Sequence, residues 1–199
     1  MGRRTLSQRQ ESGVTDSNKA GDLFAQIPKT KGLPPVHLWN PDFCGDIDMR
    51  IARDGTWYYL GTPIGRKPMV RLFSTIMRRD GDEYFLITPV EKVGIKVDDA
   101  PFVAVTLEVL GEGEGQVLRF LTNVEDQTEA GPEHPLRVVT NPDTQEPAPY
   151  IHVRSNLEAL IHRNVFYQLV ELAVSREING QRWLGVWSHG VFFPVGLEP

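Results

Sequence analysis

Asp46 and Asp48, two positions apart, are the first residues in the chain whose types and spacing could do chemistry. On a strand they share a face, and paired carboxylates can hold a metal or divide general acid–base work. Gly45 precedes them and no histidine or third acid lies close in sequence, so a solvated strand start pairing with arginines is the plainer reading. The five histidines, His37, His134, His152, His162 and His189, show no ligand spacing such as a helical i, i+4 pair. His162 falls beside the polar stripe of an expected helix, as an exposed or capped side chain. Cys44, the single cysteine, has no neighbouring base and reads as a small buried hydrophobe. Ser188–His189–Gly190 is too compressed for a serine–histidine couple. Gly111, Gly113 and Gly115 invite comparison with a phosphate loop, but no helix follows and acids stand between them, so the stretch is a hairpin turn. No G-x-S-x-G or P-loop occurs, nor a G-x-G-x-x-G ahead of a helix. Ordinary catalysis is unsupported, and no cofactor is expected.

Charge carries a stronger signal. Between Met49 and Arg79 stand seven basic side chains and one acid, whereas Asp98 to Pro147 holds eleven acids and two arginines. Two surfaces that attract when the halves dock would explain this, and so would an anion site in the first half. Arg71 and Arg163 each project from the polar face of an expected helix. As surface arginines they need no further role. If both faces turn toward one cleft, their guanidinium forks suit a phosphate or carboxylate. Tyr167, one turn after Arg163, could stack on a base or simply cover a loop. The expected site therefore gathers Arg50 and Arg71 from the basic segment, Glu91, Lys92 and Asp98 from the linker side, and Arg163 and Tyr167. Its ligand would be a small anion.

The elements that must position these residues repeat. Ser155 and Glu158 have the spacing of a capping box ahead of an apolar run, which predicts a helix over Leu157–Val174. Strands at Ser175–Ile178 and Arg182–Trp187 flank Asn179–Gly180, a strong hairpin signal. Earlier, Pro68 opens a helical pattern through Met77, and Asp80–Gly81 and the strand Tyr84–Thr88 follow. Helix, short turn, strand thus occurs twice, which predicts a duplication of Arg50–Val97 in Arg137–Phe193. Met49–Arg53, Asp54–Gly55 and Trp57–Leu60 form a hairpin. Further strands are expected at Val93–Val97, Phe102–Leu110, Gln116–Leu121, Pro135–Val139 and Tyr150–Val153. Asn123–His134 is expected to be acidic loop, and Asp98–Pro101 a hinge.

At 199 residues, 40% hydrophobic and 24% charged, the chain has the composition of a soluble globular protein of one or two domains. Residues 1–21 are polar and form a disordered tail in this reading; 22–99 and 100–199 are the two domains. Apolar runs are too short for a membrane span. A lone cysteine excludes an internal disulfide, and the simplest compartment is a reducing cytoplasm. No nucleic-acid polymer or membrane partner is indicated. The fold class is α+β, two tandem antiparallel curved sheets each closed by one amphipathic helix.

Six strings are more specific. Gly45–Asp46–Ile47–Asp48–Met49–Arg50–Ile51, Leu60–Gly61–Thr62–Pro63–Ile64, Pro89–Val90–Glu91–Lys92, Asp99–Ala100–Pro101–Phe102, His134–Pro135–Leu136–Arg137–Val138 and Leu184–Gly185–Val186–Trp187–Ser188 resemble the bacterial domain-of-unknown-function family 1285. The resemblance spans about Pro34 to Gly196. It implies tandem duplication, a second domain superficially like a pleckstrin-homology fold, and a nucleotide-like ligand at the domain interface. It also implies a role in signal transduction, with a signalling protein as a further partner. A protein-interaction adaptor without a small ligand is the alternative, and no activity comes with the family.

Overall fold

The computed structural model describes residues 19–28 and 31–198. The first unit opens with β1 (Phe43–Ile51), β2 (Trp57–Tyr59) and β3 (Thr62–Pro63), continues through α2 (Lys67–Thr75), and ends with β4 (Met77–Asp80), β5 (Glu83–Ile87) and β6 (Lys92–Val97). A short helix, α1 (Lys19–Gln26), precedes it. The second unit begins with a meander of β7 (Phe102–Leu110), β8 (Val117–Thr122) and β9 (Gln127–Glu129). Then the first unit's pattern returns: β10 (Leu136–Thr140), β11 (Pro147–Arg154), β12 (Leu157–Ile161), α3 (Arg163–Glu171), β13 (Val174–Ile178), β14 (Gln181–Ser188) and β15 (Val191–Leu197).

Spatial order repeats as well. The first sheet runs β3-β2-β1-β6-β5-β4. In the second unit β10 lies against β15, so its strands follow as β12-β11-β10 and then β15-β14-β13, with β7–β9 added beyond β12. Residues mark the repeat too. Arg50 stands opposite Tyr58 across β1 and β2, with its guanidinium 5.7 Å from the ring centre. Arg137 stands opposite Tyr150 across β10 and β11, at 4.4 Å. The fold is α+β in two tandem domains, each with a curved sheet and one helix between strand triplets.

Several expectations change. The sheets are mixed, because β1 pairs with β6 in parallel and β12 with β7 in parallel. The helix expected from Leu157 starts only at Arg163. Leu157, Ala159 and Ile161 are buried while Glu158 and Leu160 are half-exposed, a period of two that belongs to a strand. Ser155 has a φ of 51° and turns β11 into β12 instead of capping a helix. The helix N-cap is His162, whose Nδ1 accepts from the Asn164 N–H at 3.3 Å. The loop from Asn123 contains β9. Cys44 is exposed, not buried. Of the tail expected over 1–21, positions 1–18 lie outside the described residues, and its last three residues are the first turn of α1, where Ala20 is buried. No helix among the described residues is long and apolar enough to cross a membrane.

The hinge expected at Asp98–Pro101 is packed. Ala100 and Phe102 are buried, and one continuous core runs from Leu23, Trp57 and Phe73 through Phe102 and Phe120 to Leu169 and Phe193. Polar contacts close the same seam. Arg154 of β11 donates to the Ser74 carbonyl at 2.6 Å, pairs with Asp126 and lies 4.8 Å over the Phe102 ring. Asn123 donates to the Gly55 carbonyl at 3.2 Å, and Asn156 to that of Arg79 at 3.0 Å. Arg154→Ala should lower stability by about 2–3 kcal/mol, because it removes the charged hydrogen bond to the Ser74 carbonyl across the seam and leaves Asp126 unpaired. Leu23→Ala should cost roughly 2–5 kcal/mol, the usual range for a fully buried leucine. Denaturant melts of both variants check this, and an unchanged midpoint for Leu23→Ala would mean that α1 is not part of the core.

Candidate functional site

Two recesses meet where the units join. The larger, about 490 Å³, lies between α3, the β11–β12 strands and the turn after β1. Arg53 enters from the first unit; Arg163, Phe166 and Tyr167 come from α3, and Pro147 and Pro149 from β11. Asp54 orders the Arg53 turn by accepting from the Thr56 N–H at 2.9 Å. Arg163 is the first residue of α3 and Tyr167 stands one turn later, which puts the guanidinium 5.9 Å from the ring centre. Among the described residues Arg163 has no ion pair, and the first turn of α3 has no acid. Glu146 also lines the recess and brings a negative charge to it.

The smaller recess, about 290 Å³, is lined by Arg79, Tyr84, Asp99, Arg137, Tyr150 and Glu158. Asp99 ties the two recesses together. One of its oxygens faces Arg53 Nε at 3.0 Å, and the other accepts from the Tyr150 hydroxyl at 2.7 Å. Arg137 lies over the Tyr150 ring and donates to both Glu158 oxygens, at 2.8 and 2.6 Å. The Arg137 fork holds the Glu158 carboxyl below the usual range. Burial, together with the Asp99 carboxylate, pushes the Tyr150 phenol up to about 12. Burial raises Tyr84 as well.

The residues expected to share one site divide among four places. Arg163 and Tyr167 line the larger recess. Arg50 forms a two-pronged pair with Asp98, its Nε 3.0 and 2.9 Å from the carboxylate oxygens, so each neutralises the other. That contact raises Arg50 and lowers Asp98. Arg71 reaches across the seam to Glu125. Lys92 binds Asp80 at 2.7 Å and covers the Phe85 ring, while Glu91 closes a turn with Thr88 next to Gln26 of α1. Arg53, Asp99, Arg137 and Tyr150 complete the junction, and spacing did not point to them. The recurrence of an arginine and a tyrosine in the first two strands of each repeat, β1–β2 and β10–β11, was the available signal.

Other candidates have structural work. Asp46 and Asp48 lie with Arg50 on the exposed face of β1, and the Asp46 carboxylate occupies the space that a Cβ on Gly94 would need. The buried Ser188 hydroxyl donates to the Ala130 carbonyl at 2.6 Å and accepts from the Leu118 N–H at 2.9 Å. His189 pairs with Glu129 at 2.9 Å. His134 and His152 bring their Nδ1 atoms within 3.0 Å, a contact invisible in linear spacing. Among the described residues no group of three or more ligand-type side chains could hold a metal.

Comparison with known families gives two adjoining matches. Residues 34–100 match the N-terminal domain of unknown function DUF1285, and residues 101–195 match the DUF1285 C-terminal domain. The chain belongs to the DUF1285 family. A crystal structure of a DUF1285 family protein from Silicibacter pomeroyi DSS-3 is similar at 59% identity and a TM-score of 0.80, covering 87% of this chain and 93% of that one. A second, from Shewanella baltica OS155, has 29% identity and a TM-score of 0.48, covering 62% and 90%. The search of curated proteins gave no match. The two DUF1285 matches meet between Ala100 and Pro101, both of which line the smaller recess.

The raised Tyr150 phenol has a consequence at high pH. A folded-state value above the unfolded one, about 10, contributes stability that is complete below pH ~10 and is lost as pH rises through the folded value. Wild type should lose stability between pH 10 and about 12 more steeply than Tyr150→Phe. Denaturant melts across that range check it, and parallel curves would remove the Asp99–Tyr150 bond from the stabilising set.

Proposed function

We propose that this chain is a non-catalytic binding protein for a small anion carried on a flat or apolar body, a nucleotide-like molecule being the best fit. The observation that supports it most directly is the convergence of Arg53 and Arg163, one from each unit, on one recess, with Arg163 free of any ion pair among the described residues. A phosphate or carboxylate there would meet two guanidinium forks and the N-terminal end of α3, where negative charge is favoured. Phe166, Tyr167, Pro147 and Pro149 offer apolar and aromatic surface to the remainder. Asp99 holds Arg53 in place and also contacts Tyr150, so ligand charge at Arg53 would be felt across the junction. That coupling is what a role in signal transduction would use.

Each charge-assisted hydrogen bond would contribute roughly 1.5–3 kcal/mol, so Arg163→Glu should weaken binding by more than tenfold, at 1.4 kcal/mol per decade. Lys67→Glu makes the same charge change at the start of α2, outside the recess, and should leave affinity unaltered. Binding should weaken as salt rises, because the arginines are partly exposed. A thermal-shift panel of nucleoside mono-, di- and triphosphates with inorganic phosphate, followed by calorimetric titration of both variants, tests the reading. No shift at millimolar ligand, or equal affinity for wild type and Arg163→Glu, would sink it.

A further inference from the structure

β13 is the outer strand of its sheet. It pairs only with β14, and Val174 through Glu177 are exposed. Its counterpart in the first unit, β4, is also outermost, but there the edge is covered. The segment through Val36–Leu38 lies against β4, and Arg78 donates to the carbonyls of Val36 at 3.2 Å and Trp39 at 2.7 Å.

Counting back from each hairpin finds the residue equivalent to Arg78. The last ladder pair is Asp80 with Glu83 in the first unit and Ile178 with Gln181 in the second. Two positions before Asp80 stands Arg78, and two before Ile178 stands Arg176. Asp80 anchors the Arg78 guanidinium through two bonds of 2.9 Å. Among the described residues the Arg176 side chain has no ion pair or hydrogen bond, and its guanidinium lies over the rings of Trp187 and Phe192 at 4.8 and 5.4 Å. Phe192 settles onto β14 because Gly185 has no side chain there; a Cβ would strike the ring. An open recess of about 590 Å³ results, between Arg176, Ile178, Asn179, Val191 and Phe192.

We propose that the β13 edge and the Trp187–Phe192 shelf receive a proline-containing extended peptide from a partner protein, the counterpart of the Val36–Trp39 segment that lies against β4. Three features select this occupant. An outer strand offers main-chain N–H and C=O groups to an added chain. Aromatic shelves suit proline rings, whose extended backbone loses little entropy on docking. Arg176, lacking a carboxylate of its own, is complementary to peptide carbonyls or an acidic side chain, as Arg78 is to the carbonyls of Val36 and Trp39. A second copy fits less well, since antiparallel pairing centred on Arg176 would set two like charges opposite each other. This surface shares no lining residue with the α3 recess and stands independently of the function proposed for it.

The probe is a synthetic peptide of the sequence Leu-Pro-Pro-Val-His-Leu-Trp, copied from Leu33–Trp39, titrated into the ¹⁵N-labelled 199-residue chain. Saturable shifts are expected at the amides of Ser175, Arg176 and Glu177 and at the Trp187 indole, with a Kd below about 1 mM. Arg176→Glu should weaken binding at least tenfold, its melting temperature showing that it is folded; if it does not fold, Arg176→Gln replaces it, with the same direction expected. A version with both prolines changed to glycine should bind several-fold more weakly. No saturable shift, shifts centred away from β13, or equal binding by the arginine variant overturns the proposal. Shifts of the β13 amides on concentrating the protein without peptide also overturn it, because the edge would then belong to a second copy.

Discussion

One arginine makes two units into a single body. Arg154 lies on β11, yet its guanidinium reaches the Ser74 carbonyl in the last turn of α2, pairs with Asp126 and covers Phe102. Its side chain is only 17% exposed, and the charge is tolerable there because Asp126 and the Ser74 carbonyl receive its N–H groups. A cation also suits that end of α2, where carbonyls point outward. Phe102, beneath it, begins the strand that leads out of the linker. The seam therefore cannot open there without uncovering both the arginine and the apolar core. Everything at the junction inherits this rigidity, including the facing positions of the Arg53 turn and α3.

Local chemistry was legible wherever it was decided locally. Asn179–Gly180, Asp54–Gly55 and the glycines after Leu110 mark the turns where the chain does turn, since left-handed backbone there favours such residues. The start of α3 was misjudged because Ser155 and Glu158 fit a capping box and a hairpin equally well. Leu157, Ala159 and Ile161 decide between them through contacts with the rest of the core, which no window of sequence contains. Parallel pairing of β1 with β6 and of β12 with β7 is likewise set by long-range packing, and the antiparallel expectation failed for that reason.

The junction was harder to read than the fold. Excess positive charge in the first unit is met by acids of the linker and of the second unit, as Arg53 with Asp99 and, across the seam, Arg71 with Glu125 demonstrate. Docking charges and ligand charges look alike in one dimension. Only geometry separates Arg50, whose fork is filled by Asp98, from Arg163, which faces open space beside Tyr167. Repetition helps here, because equivalent strands carry equivalent arginines with different partners, and the difference between copies is more informative than either copy alone.

The parallel pairing of β7 with β12 also dictates a timetable. Phe102 faces Ala159, 57 positions later (159 − 102), whereas the first sheet holds all its strands once Val97 has emerged. A ribosome adding roughly 5–20 residues per second needs about 5–20 s for the 100 residues from Val97 to Leu197 (197 − 97). Phe102 and Phe120 emerge early in that interval, but β7 has no parallel partner until β12 has followed, and Arg154 comes just before it, so the first unit's apolar face is closed late. The nascent chain thus carries an apolar surface waiting for its own second half, and the speed of elongation sets how long that surface is open to other proteins in the cell.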